Sequence, residues 1–101
     1  MTMTANGLAK LLEECGELSQ VAAKKLAYFH TDDHPDGAGS LDKRLQDEIA
    51  DVIAACIFVA AKFGLNTAAI NDRCDRKLAL FVQWHADRSN GAEAFHMARD
   101  V

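Results

Sequence analysis

The stretch IADVIAACIFVAAKF, residues 49–63, carries apolar side chains almost all the way round a helical wheel. A helix without a polar face is buried on every side. The chain has only 101 residues, the size of one domain. Two neighbouring helices from so short a chain cannot surround a third. A second copy of the chain is therefore expected to pack against this helix. Ala50, Ala54, Ala55, Ala60 and Ala61 would allow close approach. The monomeric alternative leaves an apolar patch in water.

Three long helical segments are predicted, with no strand-like alternation between them. The first spans 7–29 and places Leu8, Leu11, Leu12, Cys15, Leu18, Ala22, Leu26 and Phe29 on one face. Residues 30–40, HTDDHPDGAGS, hold the only proline and two glycines and read as a flexible loop. Ser40 suits an N-cap, and Asp42 suits the first turn of a helix over 41–63. Gly64 fits the position just past that helix, with Leu65 as its apolar follower. Asn66 or Thr67 caps a third helix that reaches about 85–88 and stops at SNG. The tail AEAFHMARDV forms a short fourth helix or frays. The expected fold is all-α: one domain over 1–101, an antiparallel helical bundle of three long helices plus a short C-terminal helix or tail, completed by dimerisation.

Composition excludes several functions. A net charge of −4 gives no support for a nucleic-acid-binding surface. No run approaches the ~18 apolar residues of a membrane span. The start, MTMTANGLAKLLEEC, has no basic segment followed by an apolar one, so no secretion signal is expected. Cys15, Cys56 and Cys74 match no zinc spacing and read as reduced thiols packed as small apolar groups. Together these features suggest a cytoplasmic protein.

The acids are the functional signal. EECGE, residues 13–17, sets three carboxylates within five residues. Glu14 and Glu17 share a helix face, away from the apolar stripe and in the direction of Val21 and Tyr28. In the second helix Glu48 and Asp51 repeat the spacing at the edge of a wide apolar arc. Acids there are partly buried, which is costly unless they are paired or bind a cation. Antiparallel packing lets Glu14, Glu17, Glu48 and Asp51 face one another. An all-oxygen set of this kind suits Mg²⁺ or Mn²⁺, not zinc. The competing reading is a set of solvated ion pairs, with Lys10 before Glu14, Lys43 before Asp47 and Arg44 before Glu48.

KLLEECGELSQVAAK followed by LQDEIADVIAACIFVAAKFGL resembles the MazG-like all-α NTP pyrophosphohydrolases, over roughly residues 8–80. Their EExxE and ExxD patterns are met by Glu13, Glu14, Glu17, Glu48 and Asp51. The resemblance implies Mg²⁺-dependent hydrolysis of a nucleoside triphosphate to a monophosphate and pyrophosphate, in nucleotide-pool house-cleaning. It implies metal ligation by Glu14, Glu17, Glu48 and Asp51, and a dimer or a tetramer of dimers. The family's Lys-x-Asn on the third helix corresponds to Arg73 and Asp75, which would contact phosphate and metal. The match could also slide to Lys77. Glu13 would be the general base, or else a solvent-facing partner of Lys10. Lys24 and Lys25 are candidates for phosphate contact. Tyr28, Phe81, Trp84 and His85 are candidates for base stacking, or else for packing.

Three rivals stand beside this reading. Phosphoribosyl-ATP pyrophosphohydrolase shares the superfamily, but GELSQ after Cys15 leans towards the MazG side. A di-iron carboxylate protein needs Glu-x-x-His pairs, and only Glu93 with His96 offers one here. A non-catalytic helical dimer acting as an interaction protein would ignore Mg²⁺. DDHPDG, residues 32–37, resembles the start of an EF-hand loop, but Lys43 stands where a bidentate Glu is needed.

Overall fold

A computed structural model describes residues 3–89. Three helices make up the fold: α1 (Met3–Ala27), α2 (Leu41–Lys62) and α3 (Thr67–Ser89), with no strand among the described residues. The expected C-terminal helix or tail, with Glu93 and His96, lies outside the described residues. None of the three helices is long and apolar enough to cross a membrane. The chain divides into two compact units, with the boundary between Leu65 and Asn66.

The first unit is an antiparallel helical hairpin. Gly7 approaches Phe58 and Val59, Glu14 and Glu17 meet Glu48, and Lys25 reaches Asp42 at 2.6 Å. Val21, Leu41, Ala55 and Val59 form its buried apolar centre. The face of α1 that packs overlaps the expected stripe only at Leu11 and Leu18. Gly7, Glu14 and Val21 are buried, and Leu11 and Leu18 are half-buried between them. Leu12, Leu26 and Phe29 stay exposed. The packed face is turned about 70° from the centre of that stripe, so Leu11 and Leu18 at its edge are the members that reach α2. Glycine and valine interleave with the acids on that face, so it fits closely against α2. The three cysteines are free and exposed, contrary to the packed thiols expected.

The ends of α2 follow local chemistry. The Ser40 hydroxyl accepts from the Lys43 N–H at 3.1 Å, as an N-cap should. Gly64 takes φ +60, a left-handed conformation suited to glycine. The Leu65 N–H then donates to the Ala60 carbonyl at 2.9 Å, and the Gly64 N–H to Ala61 at 3.3 Å. That pairing satisfies carbonyls the helix leaves open.

The connection between α1 and α2 is not the loose loop its composition suggests. Asp36 accepts from Lys24 Nζ at 2.9 Å and from Arg44 Nη1 and Nη2 at 3.2 and 3.1 Å. The Ala38 N–H also donates to it at 3.1 Å. Asp32 accepts from the Asp42 N–H at 2.7 Å, beside fully buried Leu41. One carboxylate thus ties the last turn of α1 to the first turn of α2. Lys24 and then Arg44 hold the Asp36 carboxyl well below the ordinary carboxylate range. A lowered pKa contributes stability above the unfolded value of ~3.9, and that stability fades as pH falls through the folded value. Asp36→Ala should lower the melting temperature by several degrees at pH 7, and by progressively less towards pH 2. Thermal melts across that range would read this, and an equal loss at every pH would rule the charge out.

In the second unit, Asn66 Oδ1 accepts from the Ala69 N–H at 2.9 Å and caps α3. Arg76 pairs with Asp72 at 3.0 Å, one turn apart. The Phe81 and Trp84 rings lie with centroids 5.6 Å apart. Ile70, Leu78, Phe81 and Trp84 are all more than 40% exposed, so this helix has apolar surface still to cover.

Candidate metal centre

Helical spacing places Glu14 and Glu17 one turn apart on α1, at the level where Glu48 of α2 crosses. One carboxylate oxygen from each of Glu14, Glu17 and Glu48 lies within 4.8 Å of the others. Glu14 is 8% exposed. Its Oε1 lies 3.4 Å from Lys10 Nζ. Its Oε2 is buried without a hydrogen-bond partner, and so is Oε2 of Glu48. Buried polar atoms are nearly always satisfied, so the two unpaired oxygens set this cluster apart, and its three carboxylates could hold a cation. Burial pushes the Glu48 carboxyl up, and the negative charges of Glu17, Asp51 and Glu14 push the same way.

Asp51 stands one turn after Glu48, exposed, and is not part of the three-acid cluster. It lines an adjoining groove of about 360 Å³ together with Lys10, Glu14, Ala54, Ala55 and Phe58. That volume falls within the usual range for small-molecule sites. Three of the acids expected to hold metal therefore converge, and the fourth forms the wall beside them.

The other expected residues lie elsewhere. Glu13 is on the solvent side, 3.4 Å from Lys10. Lys24 and Lys25 pair with Asp36 and Asp42 of the connection. Lys24 is about 10 Å along the axis from Glu17. The Tyr28 ring meets His34 edge-on, with centroids 4.7 Å apart. Arg73 and Asp75 are exposed on α3. Two residues apart, they point to different sides of that helix.

Two lining residues were not anticipated as functional. Lys10 was legible only as an ion-pair partner, yet it stands on the groove wall. Phe58 was read as part of an all-round apolar helix. Its signal was position: it follows Asp51 by two turns and so shares a face with it. Comparison with family models, with curated proteins and with solved structures finds no match to this chain.

Proposed function

We propose that the protein is a Mg²⁺-dependent nucleoside triphosphate pyrophosphohydrolase of MazG-like type that works as a homodimer. The observation that carries this reading is the pair of buried, unpartnered oxygens on Glu14 and Glu48. The donor set fits a hard divalent cation: carboxylate oxygens alone, with no thiolate or imidazole among the clustered groups. Glu14, Glu17 and Glu48 would hold Mg²⁺, with Asp51 at the edge, and Mn²⁺ suits the same donors. When bound, the ion supplies Lewis acidity and neutralises triphosphate charge.

The chain's own residues would do the rest. Lys10, on the groove wall, offers a cation to phosphate oxygens once Glu14 turns to the metal. The family resemblance alone makes Glu13, which lies on the solvent side of α1, the group that would take the proton from the water that attacks the α-phosphorus. The bond from that phosphorus to the bridging oxygen breaks and pyrophosphate leaves. Lys10 lines this groove, whereas Lys24 and Lys25 serve the connection. Asp75 and Arg73 rest on the family resemblance alone.

Dimerisation is supported by what the hairpin leaves uncovered. Leu12 and Leu26 of α1 are 75% and 78% exposed, Phe29 just beyond it is 61% exposed, and Ile49 and Ile53 of α2 are 43% and 54% exposed. Leu12 and Leu26 on α1, and Ile49 and Ile53 on α2, are displaced in the same rotational sense from the contact face. In an antiparallel pair such stripes fall on one side. A second copy packing there gives a four-helix arrangement with an apolar centre.

Thermal melting with and without Mg²⁺ and pyrophosphate release from a nucleotide panel form the test. A hundredfold excess of Mg²⁺ over its dissociation constant should stabilise the fold by about 2.7 kcal/mol, raising the melting temperature by several degrees. At least one nucleoside triphosphate should yield pyrophosphate. A melting point indifferent to Mg²⁺ would favour the non-catalytic helical dimer. Turnover restricted to phosphoribosyl-ATP would move the chain to the histidine-pathway enzyme.

A further inference from the structure

The groove beside the acids has a second end. Asp51, then Ala54 and Ala55, then Phe58 follow one another on successive turns of α2. The groove therefore runs along that helix for about 10 Å from carboxylate to ring. The ring of Phe58 is 45% exposed although it stands beside the packed α1–α2 contact. Gly7 makes this possible. A Cβ there would meet Phe58 Cε1 at 2.9 Å and Cδ1 at 3.2 Å. Without one, α1 approaches the Cδ1–Cε1 edge of the ring. Lys62 Nζ lies 5.3 Å from the ring centroid.

We propose that Phe58 is the platform on which the base of the nucleoside triphosphate stacks, with Ala54 and Ala55 as the floor. The proposal rests on the functional reading above. A ligand that fills the whole groove must be anionic at one end, to reach a cation held by the acids. It must be flat and apolar at the other, and a nucleotide has this form. The alanine floor offers no side-chain donor or acceptor, so the site reads ring area and not hydrogen-bond pattern. Purines are therefore preferred over pyrimidines, with little discrimination within each class. Lys62 Nζ lies over one face of the ring, so the base would stack on the other. The ring lies about 140° or more round α2 from Ile49 and Ile53, away from the face offered to a second copy.

The test is calorimetric binding of a methylene-bridged nucleoside triphosphate, in Mg²⁺, to the full chain. Inorganic tripolyphosphate, which has no base, is run in parallel. Phe58→Leu keeps apolar bulk but loses the aromatic face. It should weaken nucleotide binding about tenfold, within the range found for removing a base-stacking ring, and leave tripolyphosphate within about twofold. Phe58→Trp should restore nucleotide affinity. Gly7→Ala, which displaces the ring, should act in the same direction as Phe58→Leu. Unchanged nucleotide affinity in Phe58→Leu overturns the proposal, and so does an equal loss for both ligands. If the unaltered chain binds tripolyphosphate as tightly as nucleotide, the base has no platform while the phosphate and metal reading stands. If it binds neither, that reading falls and takes this one with it.

Discussion

Glu48→Gln should reduce pyrophosphate release by at least about a hundredfold and, at the same time, raise the melting temperature of the metal-free protein by a few degrees. The loss follows from removing one of the three clustered donors, an effect at least as large as that of disturbing an outer-shell partner. The gain follows from the apo electrostatics. Burial first, and then Glu17, Asp51 and Glu14, raise the Glu48 pKa. A carboxyl with a raised pKa binds more protons folded than unfolded. Stability therefore falls as pH rises from the unfolded value of ~4.3 through the folded one. At pH 7 the ionised group opposes folding. Glutamine is neutral there, and its amide can donate to a neighbouring carboxylate. On the proposed function Mg²⁺ would reverse the balance in the unaltered chain by binding the ionised form, so its stabilising effect should grow with pH. The variant should show neither the pH slope nor the Mg²⁺ shift. Melts at pH 5 and pH 8, with and without Mg²⁺, read both effects. A variant less stable than wild type without metal would mean that Glu48 is a structural acid.

What was legible in the sequence was local. Ser40 and the Gly64-Leu65 pair fix the ends of α2 through hydrogen bonds made within a turn or two, so their types and spacing suffice. The acids could be matched because one-turn spacing on each of two helices leaves few ways to avoid meeting. Which face of α1 packs was not legible. The expected stripe runs through Leu8, Leu12, Cys15 and Leu26 with Leu11 and Leu18 at one edge, whereas the packed face takes only that edge and adds Gly7, Glu14 and Val21. Periodicity ranks faces by hydrophobicity, but α2 takes the face that lets backbones approach, with Gly7 at the contact. The connection was misread for a related reason. Pro35, Gly37 and Gly39 signal a turn, while the bonds that tie it down come from Lys24 and Arg44 on the flanking helices. Phe58 was hidden because an aromatic within an apolar run looks like core until its neighbours are placed.

Ile53→Lys should abolish the proposed dimer and leave the proposed Mg²⁺-dependent melting shift in place. Ile53 is 54% exposed in the single chain, so about half of a burial worth ~1.5–3 kcal/mol remains to be gained on association. Two-fold symmetry counts that contribution twice, giving about 2 kcal/mol per dimer. This alone is more than tenfold in affinity. Each copy would also have to desolvate an ammonium in an apolar interface without a partner, and the combined effect should reach several hundredfold. Light scattering after size exclusion should then give a mass near the 11.0 kDa of one chain, against twice that for the unaltered protein. The Mg²⁺ response should survive because Glu14, Glu17 and Glu48 all come from one hairpin. They also lie on the opposite side of that hairpin from the uncovered stripe. An unaltered chain that is already monomeric would remove the dimer while leaving the metal centre intact. A monomeric variant that lost its Mg²⁺ shift would mean that the partner braces the hairpin on which the acids are mounted, so that the apolar side and the acidic side act as one unit.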